Sequence, residues 1–374
     1  MADIGKVMGV NAADIASIMG VAAYNIGSFM GADLPEQEIS GWAGVTGVQF
    51  GGNHYYSSGN VTYGAQIQYN TIGSASTAGD FGDIASGGRE NSNGVGVGVS
   101  AARAVLHSGP KSGDYFNDDT DYITVASTGN TNDFGDAVEE THNGATMSNG
   151  TLMFIGAGSG PVAPYKIAHM AQRAIASTGD FTDAGNLLAA QTVASVSGNT
   201  RGGMMGGYHN PVSAAVYRDD VEYITFDTSA NSIAFGTLTA PSTCLLGIAN
   251  ISRWIVNHNY VPSASPAHVF YLDYWTVASG GSAQDFGDDV LSGYQAGTSN
   301  GTRGEIWGGY RDAASVAGTH QNTTGREEIR YITMASTGDS QDTGALMHEN
   351  YEDYNGTSGL MVGALINNSS GSGT

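Results

Sequence analysis

The stretch YITVASTGNTNDFGD at Tyr122–Asp136 returns, in degraded form, about every 50 residues along the chain. The clearest recurrences are YITMASTGDSQDTGA from Tyr331 and YWTVASGGSAQDFGD from Tyr274. The phenylalanine of each copy marks the series Phe81, Phe134, Phe181, Phe235 and Phe286, and Thr343 takes the sixth place. A fixed period of this size predicts a repeat architecture in which neighbouring units share one continuous core.

Each unit contains four short strand-like pieces separated by clusters of Gly, Asn, Asp and Ser, which favour turns. Late in the chain, these pieces are predicted around Tyr294–Asn300, Arg303–Tyr310, Ile329–Ser336 and Asp285–Asp288. Residues 37–374 carry no long helical pattern. Short strands at regular spacing therefore predict an all-β fold.

The second piece of each unit ends in paired glycines, as in VQFGG from Val48 and EIWGG from Glu305. A strand ending in Gly-Gly, then a variable loop and a strand with an aromatic residue, resembles the kelch repeat. The resemblance covers about residues 40–366, and Phe stands where kelch repeats carry a Trp in the last strand. It implies a kelch-like β-propeller with four-stranded blades.

The number of blades is ambiguous in the sequence. The third and fourth pieces occur six times, but Gly-rich second strands are counted seven times, among them GVGVGV from Gly94, LLGIAN from Leu245 and GLMVGALI from Gly359. Both ends of the chain then supply the same half of a blade. We therefore favour seven blades with an incomplete last one, finished by residues 1–35 or by a partner; six blades with a C-terminal extension is the alternative.

The N-terminal segment is a second, shorter repeat. Residues 4–36 divide into IGKVMGVNAAD, IASIMGVAAYN and IGSFMGADLPE. Apolar residues at i, i+3 and i+4 predict three short helical turns that end at the glycines; one continuous helix is the alternative. The chain is thus expected to divide into an anchor, 1–36, and a propeller, 37–374.

Three such turns cannot bury their apolar faces by themselves, so they need another surface. We expect this segment to serve oligomerisation or docking; the alternative is a cap folded over the propeller. The predicted assembly contacts are Ile4, Met8, Ile15, Met19, Ile26 and Met30.

The chain carries 35 acidic and 13 basic residues, for a formal net charge of -22. This charge disfavours nucleic acid and anionic membranes as partners. The single cysteine, Cys244, excludes an internal disulfide framework. The start MADIGKVMGV has no basic region followed by an apolar core, so we expect cytoplasmic synthesis without a signal peptide.

The sequence offers little chemistry of the enzymatic kind. Its nine histidines form no pair with metal spacing, and it has neither a G-x-S-x-G elbow nor a phosphate-binding glycine loop with lysine. Some kelch propellers are copper oxidases with a cysteine-modified tyrosine, but Cys244 lies in the apolar run STCLLGI and is expected to be buried. Arg201 and Arg303 occupy equivalent repeat positions and are predicted to be architectural. We therefore expect no enzyme activity.

The Asp-Phe-Gly-Asp element permits two interpretations. Asp133 and Asp136, with Asn130 and Asn132 just before them, offer several oxygens of the kind that calcium prefers. Asp and Asn also bond to nearby backbone N–H groups in turns, and we favour this interpretation. No other cofactor is expected.

The 11-residue units with Met-Gly and the serial ASTGNTNDFGD repeats resemble structural proteins of tailed phages, especially marine phages such as cyanophages. The resemblance implies a virion protein made in the host cytoplasm, with other virion proteins and further copies of itself as partners. We expect a surface or tail-appendage (fibre- or adhesin-like) component whose N-terminus docks and whose propeller meets a host glycan or protein. The alternatives are a capsid decoration (cement) protein and a glycan-active enzyme with paired carboxylates.

Overall fold

The chain forms an all-β structure in which six small sheets are arranged as the blades of a β-propeller. The computed structural model describes, besides six two-residue segments between residues 6 and 33, the following residues: 46–51, 53–55, 61–86, 97–100, 102–107, 116–125, 127–141, 144–161, 167–188, 192–198, 200–209, 216–226, 228, 230–243, 246–258, 260–264, 269–290, 292–312, 323–325, 328–347 and 362–366. None of these residues is helical. The predicted all-β propeller is therefore confirmed.

Each blade has four antiparallel strands, which we number from the centre of the ring outwards. The first strands of neighbouring blades lie next to one another all the way around, so the ring is closed. In order, the strands of the first three blades are Val362–Ile366, Thr46–Phe50, Gln66–Thr71 and Gly79–Asp83 in blade 1; Val97–Val99, Arg103–His107, Asn117–Thr124 and Asn132–Thr141 in blade 2; and Ala145–Ser148, Leu152–Gly156, His169–Ala174 and Thr182–Asn186 in blade 3.

The other three blades repeat this arrangement. Their strands are Thr192–Val196, Arg201–His209, Asp220–Thr225 and Ile233–Thr237 in blade 4; Gly247–Ala249, Arg253–Asn257, Tyr271–Thr276 and Gln284–Asp288 in blade 5; and Ser292–Ser299, Arg303–Asp312, Glu328–Thr333 and Gln341–Leu346 in blade 6. Short additional strands are Asn53–Tyr55 paired with Val61–Tyr63, Val216–Tyr217 and Thr323–Gly325 on the second strands of blades 4 and 6, and Gly281–Ser282 parallel to Ile233–Thr237.

The ring closes by a strand from the C-terminal end of the chain. Val362–Ile366 pairs antiparallel with Thr46–Phe50 as the first strand of blade 1. The favoured seven-blade arrangement is therefore wrong, and the number of blades is six. The runs GVGVGV, LLGIAN and GLMVGALI contain first strands rather than second strands, because both kinds of strand are short, apolar and glycine-rich. VQFGG and GLMVGALI belong to the same blade, so counting both as second strands produced the apparent seventh blade.

The helical turns predicted near the N-terminus are not confirmed. Where the structure describes this segment, it has three pairs of two-residue antiparallel strands, the first joining Lys6–Val7 to Val10–Asn11. The 11-residue spacing is retained in the three pairs of strands. The six predicted assembly residues lie outside the described residues.

The phenylalanine that marks the repeat is buried in the propeller. Phe134 is 1% exposed and meets the ring of Tyr122 edge-on, with centroids 6.0 Å apart. The same contact between the third and fourth strands recurs at 5.9 Å in blades 1, 4 and 5. These rings are thus a repeated element of the core.

Blade 3 departs from the expected alignment. Its register pairs Met170 with Gly185 and Ala171 with Asp183, which places Ala184 where blades 1, 2, 4 and 5 carry phenylalanine. Phe181 comes three residues earlier and still contacts Phe134 of blade 2, with ring centroids 6.0 Å apart. The expected equivalence of Phe181 with the other phenylalanines is therefore wrong, although Phe181 packs at the same joint between blades.

The STGN part of the repeated motif joins each blade to the preceding one. Gly129 donates its N–H to the carbonyl of Phe81 at 2.7 Å, and Thr131 donates to the carbonyl of Asp83 at 2.9 Å. The side chain of Asn130 accepts the N–H of Asp83 at 3.0 Å. Blades 2 and 3, and blades 5 and 6, are joined in the same way. The motif thus provides the same hydrogen-bonded link at these three joints.

The glycine of Phe-Gly-Asp lets the backbones of neighbouring blades approach closely at this joint. Gly135 has a φ of +133°, and a Cβ on it would lie 2.4 Å from the carbonyl carbon of Gly179. We expect Gly135→Ala to lower the free energy of unfolding by about 2–4 kcal/mol, through backbone strain and overpacking. Urea denaturation measures this change. Gly129→Ala is the control, because Gly129 has a φ of +155° but no atom within 4 Å of its Cβ position; equal losses in the two variants would contradict the close approach.

Arginines at the start of the second strands stabilise the joints between blades. Arg103 lies over the ring of Tyr122 at 4.6 Å and donates to the carbonyl of Ile175 in the next blade at 3.3 Å. Arg201, Arg253 and Arg303 stack on the equivalent tyrosines. This is the architectural role that the equivalent positions of Arg201 and Arg303 predict.

Candidate functional site

The two faces of the propeller differ in the regularity of their connections. Nine residues separate the last paired residues of the third and fourth strands, such as Tyr122 and Asn132, in all six blades. Between the second and third strands the separation varies from 12 to 21 residues. We call the first side the constant face and the second side the variable face. Variation concentrated on one face is typical of a scaffold that carries its function in loops.

On the variable face, most blades reach the preceding blade through one buried polar side chain. This residue precedes the tyrosine of the third strand, and we call its place the strut position. Glu222 accepts the N–H of Leu188 at 3.0 Å, and Asp273 accepts the N–H of Thr239 at 2.8 Å. The polar residues at the strut position are Gln68, Asp121, Glu222, Asp273 and Arg330, all at most 4% exposed.

Blade 3 lacks a polar strut. Its strut position is Ala171, whose side chain ends at Cβ. A shallow depression, open to solvent and with room for about one water molecule, lies at the corresponding joint with blade 2. Its apolar floor is formed by Ala137, Ile155, Ile167 and Ala171. We call this the blade 2–3 depression.

The rim of the blade 2–3 depression is polar. His169 lies between two carboxylates, with its Nε2 3.2 Å from Asp183 and its Nδ1 3.8 Å from Glu139. Deeper in the depression, Nε2 of the buried His107 lies 2.9 Å from Oγ1 of Thr141. The N–H of Gly185, and then the neighbouring His169, lower the pKa of Asp183. The site thus combines an aliphatic floor with hydrogen-bonding groups at its edge.

Sequence reasoning missed this site. His107 and His169 form no recognisable pair in the sequence, because they are 62 positions apart and belong to different blades. The signal that was present is a small residue, Ala171, at a place where the other five third strands carry Gln, Asp, Glu or Arg. Alignment of the six third strands would have shown it.

The structure separates the two aspartates that were considered for calcium. Asp133 uses Oδ1 to accept the N–H of Gly135 at 3.0 Å, and the same turn recurs at Asp183, Asp285 and Asp342. This is the turn interpretation that we favoured. Asp136 instead lies with Asp118 and Asp119, and one carboxylate oxygen of each is within 4.8 Å of the others. Calcium binding at Asp136 stays the less favoured alternative, and Asp133 is not in this group.

We expect calcium chelation to leave the melting curve of the protein unchanged. The turn at Asp133 is held by a backbone N–H and needs no ion for its geometry. Differential scanning calorimetry with and without EDTA measures this. A large decrease in the thermal midpoint that calcium restores would contradict the prediction and favour a structural metal site.

Two fourth-strand aspartates should affect stability in opposite directions. Desolvation, followed by repulsion from Asp118 and other carboxylates, raises the pKa of Asp136. Its ionisation therefore disfavours the folded state, and Asp136→Asn should raise the thermal midpoint at pH 7. The pKa of Asp183 is lowered, so its contribution is present at neutral pH and lost as the pH falls through that pKa. Asp183→Asn should lower the midpoint at pH 7.

Melting curves from pH 7 down to about pH 3 test this pair, because both differences should shrink as wild-type carboxylates become protonated. Both shifts should be small, since the two side chains are largely exposed. Shifts of the same sign at pH 7 would contradict the assignment.

No protein-family model matches this chain, and no curated protein matches it in sequence. Within the described residues, no helix has the length and hydropathy that crossing a bilayer requires. Cys244 lies outside the described residues, so its predicted burial remains a prediction.

Proposed function

We propose that this chain is a non-enzymatic structural protein of a phage virion, displayed at the particle surface or on a tail appendage. The observation that carries the proposal is the difference between the constant and variable faces. On the constant face, backbone and side-chain groups of the repeated motif are occupied by hydrogen bonds between blades. The connections that differ between blades lie together on the variable face. Such a scaffold suits binding at the variable face.

In this proposal the three N-terminal 11-residue units dock the protein onto the particle or onto further copies of itself. The propeller is displayed and meets a glycan or protein of the host surface. The acidic composition supports the choice of partner, since a net charge of -22 disfavours nucleic acid and anionic membranes. The protein is made in the host cytoplasm and incorporated into virions.

A comparison of two chains tests the docking role. The full chain and a chain that starts at Leu34 are purified and sized by light scattering, and their binding to particles that lack the protein is measured. We expect the shortened chain to fold with the same β-rich circular dichroism spectrum but to lose self-association and particle binding. If it assembles as well as the full chain, the N-terminal docking role is wrong.

Electron microscopy of particles carrying the labelled full chain tests the position. Density on a tail or surface appendage agrees with the proposal. Density distributed over the capsid faces would instead assign a decoration role, and absence of the chain from purified particles would overturn the virion assignment.

A further inference from the structure

We infer that the propeller opens reversibly at one place, the joint between blades 6 and 1, while the other five joints stay closed. We call this joint the closing joint, because it lies beside the strand Val362–Ile366 that completes the ring. The open state is a minor population of the native protein, of the kind that hydrogen exchange detects and melting curves do not. This property goes beyond the proposed function and does not depend on it.

Blade 1 presents polar side chains to the closing joint. Gln49 and Asn70 lie on the same face of this blade as Gly47. A Cβ on Gly47 would lie 3.3 Å from the ring of Trp307 in blade 6, so this face is turned towards the joint. In blades 2 to 6 the place of Gln49 is taken by apolar residues, which are Leu106, Ile155, Met204, Val256 and Ile306. In blades 2, 4 and 6 the place of Asn70 is taken by isoleucine, at Ile123, Ile224 and Ile332.

Blade 6 also presents polar side chains to this joint. Oε1 of Glu305 accepts the N–H of Gly73 in blade 1 at 2.8 Å, and its Oε2 accepts the Nε1–H of Trp307 at 3.1 Å. Thr298 lies opposite Glu305 on the adjacent strand, with its methyl group towards Gly47. In the other blades the place of Glu305 is taken by uncharged residues, which are Val48, Val105, Phe154, Gly203 and Ile255.

Three of these buried side chains have a polar atom without a hydrogen-bond partner. The atoms are Oε1 of Gln49, Nδ2 of Asn70 and Oγ1 of Thr298, in residues that are at most 5% exposed. Burial raises the pKa of Glu305, and the bonds from Gly73 and Trp307 offset this only in part. The ionised carboxylate is thus disfavoured in the closed joint as well. All four groups would gain hydrogen bonds to water if the joint opened.

The closing joint also holds less apolar surface. Within the described residues, its buried apolar cluster is smaller than those at the other five joints. The members of this cluster are Ala78, Ala296, Trp307, Ile329, Ala345 and Met347. Because half of them are alanine, opening exposes less apolar surface to water here than elsewhere.

Unpartnered polar atoms also occur at the joint between blades 4 and 5, where they include Nε1 of Trp254 and Nε1 of Trp275. The two indole rings fill that joint with apolar surface. Its opening would therefore expose both rings to water, and we expect it to stay closed.

Six equivalent hydrogen bonds, one at each joint, report the opening. In each of them an N–H of one blade bonds to a carbonyl of the preceding blade at 2.7–2.9 Å. The donors, from the closing joint onwards, are Ala78, Thr131, Phe181, Ser232, Ala283 and Ser340. Since the bonds have similar lengths, differences in their exchange rates reflect how often each joint opens.

The test is native-state hydrogen exchange of the full chain, followed by NMR and corrected for intrinsic exchange rates. We expect the amide of Ala78 to exchange about tenfold or more faster than each of the other five. Tenfold corresponds to about 1.4 kcal/mol, which is within the cost of one unsatisfied buried polar group.

The indole N–H groups give a second measurement. Nε1–H of Trp307 is bonded to Glu305, whereas those of Trp254 and Trp275 have no partner. Local bonding alone would make Trp307 the slowest of the three to exchange. Opening of the closing joint makes it the fastest.

A triple variant removes the unpartnered atoms from the closing joint. Gln49→Leu, Asn70→Ile and Thr298→Val introduce the residue types that other blades carry at Leu106, Ile123 and Val196. This variant should slow exchange at Ala78 and at the Trp307 indole about tenfold or more, because the closed joint no longer buries these atoms without partners.

Thr146→Val is the matched control. Oγ1 of Thr146 is also buried and unpartnered, but it belongs to the first strand of blade 3. Its replacement should leave exchange at Ala78 within about twofold of wild type, because distant sites act independently. Melting curves establish that each variant is folded. Should the triple variant be unfolded, the isosteric Thr298→Val makes the same test alone.

The inference is overturned if Ala78 is not the fastest of the six amides, or if the Trp307 indole exchanges more slowly than those of Trp254 and Trp275. It is also overturned if the folded triple variant exchanges at Ala78 as wild type does, or if Thr146→Val slows this amide equally. These outcomes leave the virion assignment standing, because particle incorporation and microscopy test that assignment separately.

Discussion

Replacing Phe134 with alanine is expected to lower the free energy of unfolding by about 3–5 kcal/mol. The side chain is 1% exposed and touches both Tyr122 of its own blade and Phe181 of the next, so its loss leaves a cavity at a joint. A closed ring does not let one joint relax independently of the others. We therefore expect a single cooperative transition that shifts as a whole in urea denaturation.

The matched control is Ile233→Ala, which removes an aliphatic side chain from the fourth strand of blade 4. Ile233 is 55% exposed, so its loss should cost less than about 1 kcal/mol. If the two variants unfold at the same urea concentration, the phenylalanine series does not form the core of the joints.

The sequence was sufficient to predict the class of fold because its strongest signal is local. Tyr122, Phe134 and the glycines around them recur at a fixed period, and strands and turns are decided over a few residues. The role of Asp133 in a turn is also a short-range bond, to Gly135, and so could be anticipated. The kelch and phage resemblances remain predictions.

The position of a strand within its blade, and its pairing with strands that are distant in the sequence, could not be predicted from local patterns. Val97–Val99 and Val362–Ile366 have the same small, apolar character as second strands, and their position next to the ring centre depends on partners elsewhere in the chain. In blade 3, the spacing Asp-x-Gly identifies Ala184 as the repeat position more reliably than the aromatic residue did, because the Asp–Gly bond fixes the turn.

The blade 2–3 depression was missed for a related reason. A cavity at Ala171 is defined by a side chain that is shorter than its equivalents, whereas sequence reasoning looks for residues that bear chemistry. Its polar groups, Glu139 and His169, become neighbours only when two blades pack together. A site between repeats is thus visible in the sequence only as a departure of one repeat from the others.

The largest effect is expected from removal of the strand that closes the ring. Deleting residues 361–374 takes away Val362–Ile366, the neighbour of Thr46–Phe50 and of the first strands of blades 2 and 6. The buried side chains of Val48 and Phe50 would then lie at an open edge. We expect the loss to exceed about 5 kcal/mol, the range in which single domains unfold.

Deletion of residues 367–374, the run NNSSGSGT, is the control, because it shortens the same end but keeps the closing strand. It should melt within about 2 °C of the full chain, because the eight residues removed are all polar or glycine. A peptide of residues 359–368 should restore a cooperative transition to the deleted chain in proportion to its concentration, since it binds only the folded ring. If the chain without residues 361–374 melts as the full chain does, the ring is closed by other contacts, and the joint between blades 6 and 1 holds without its first strand.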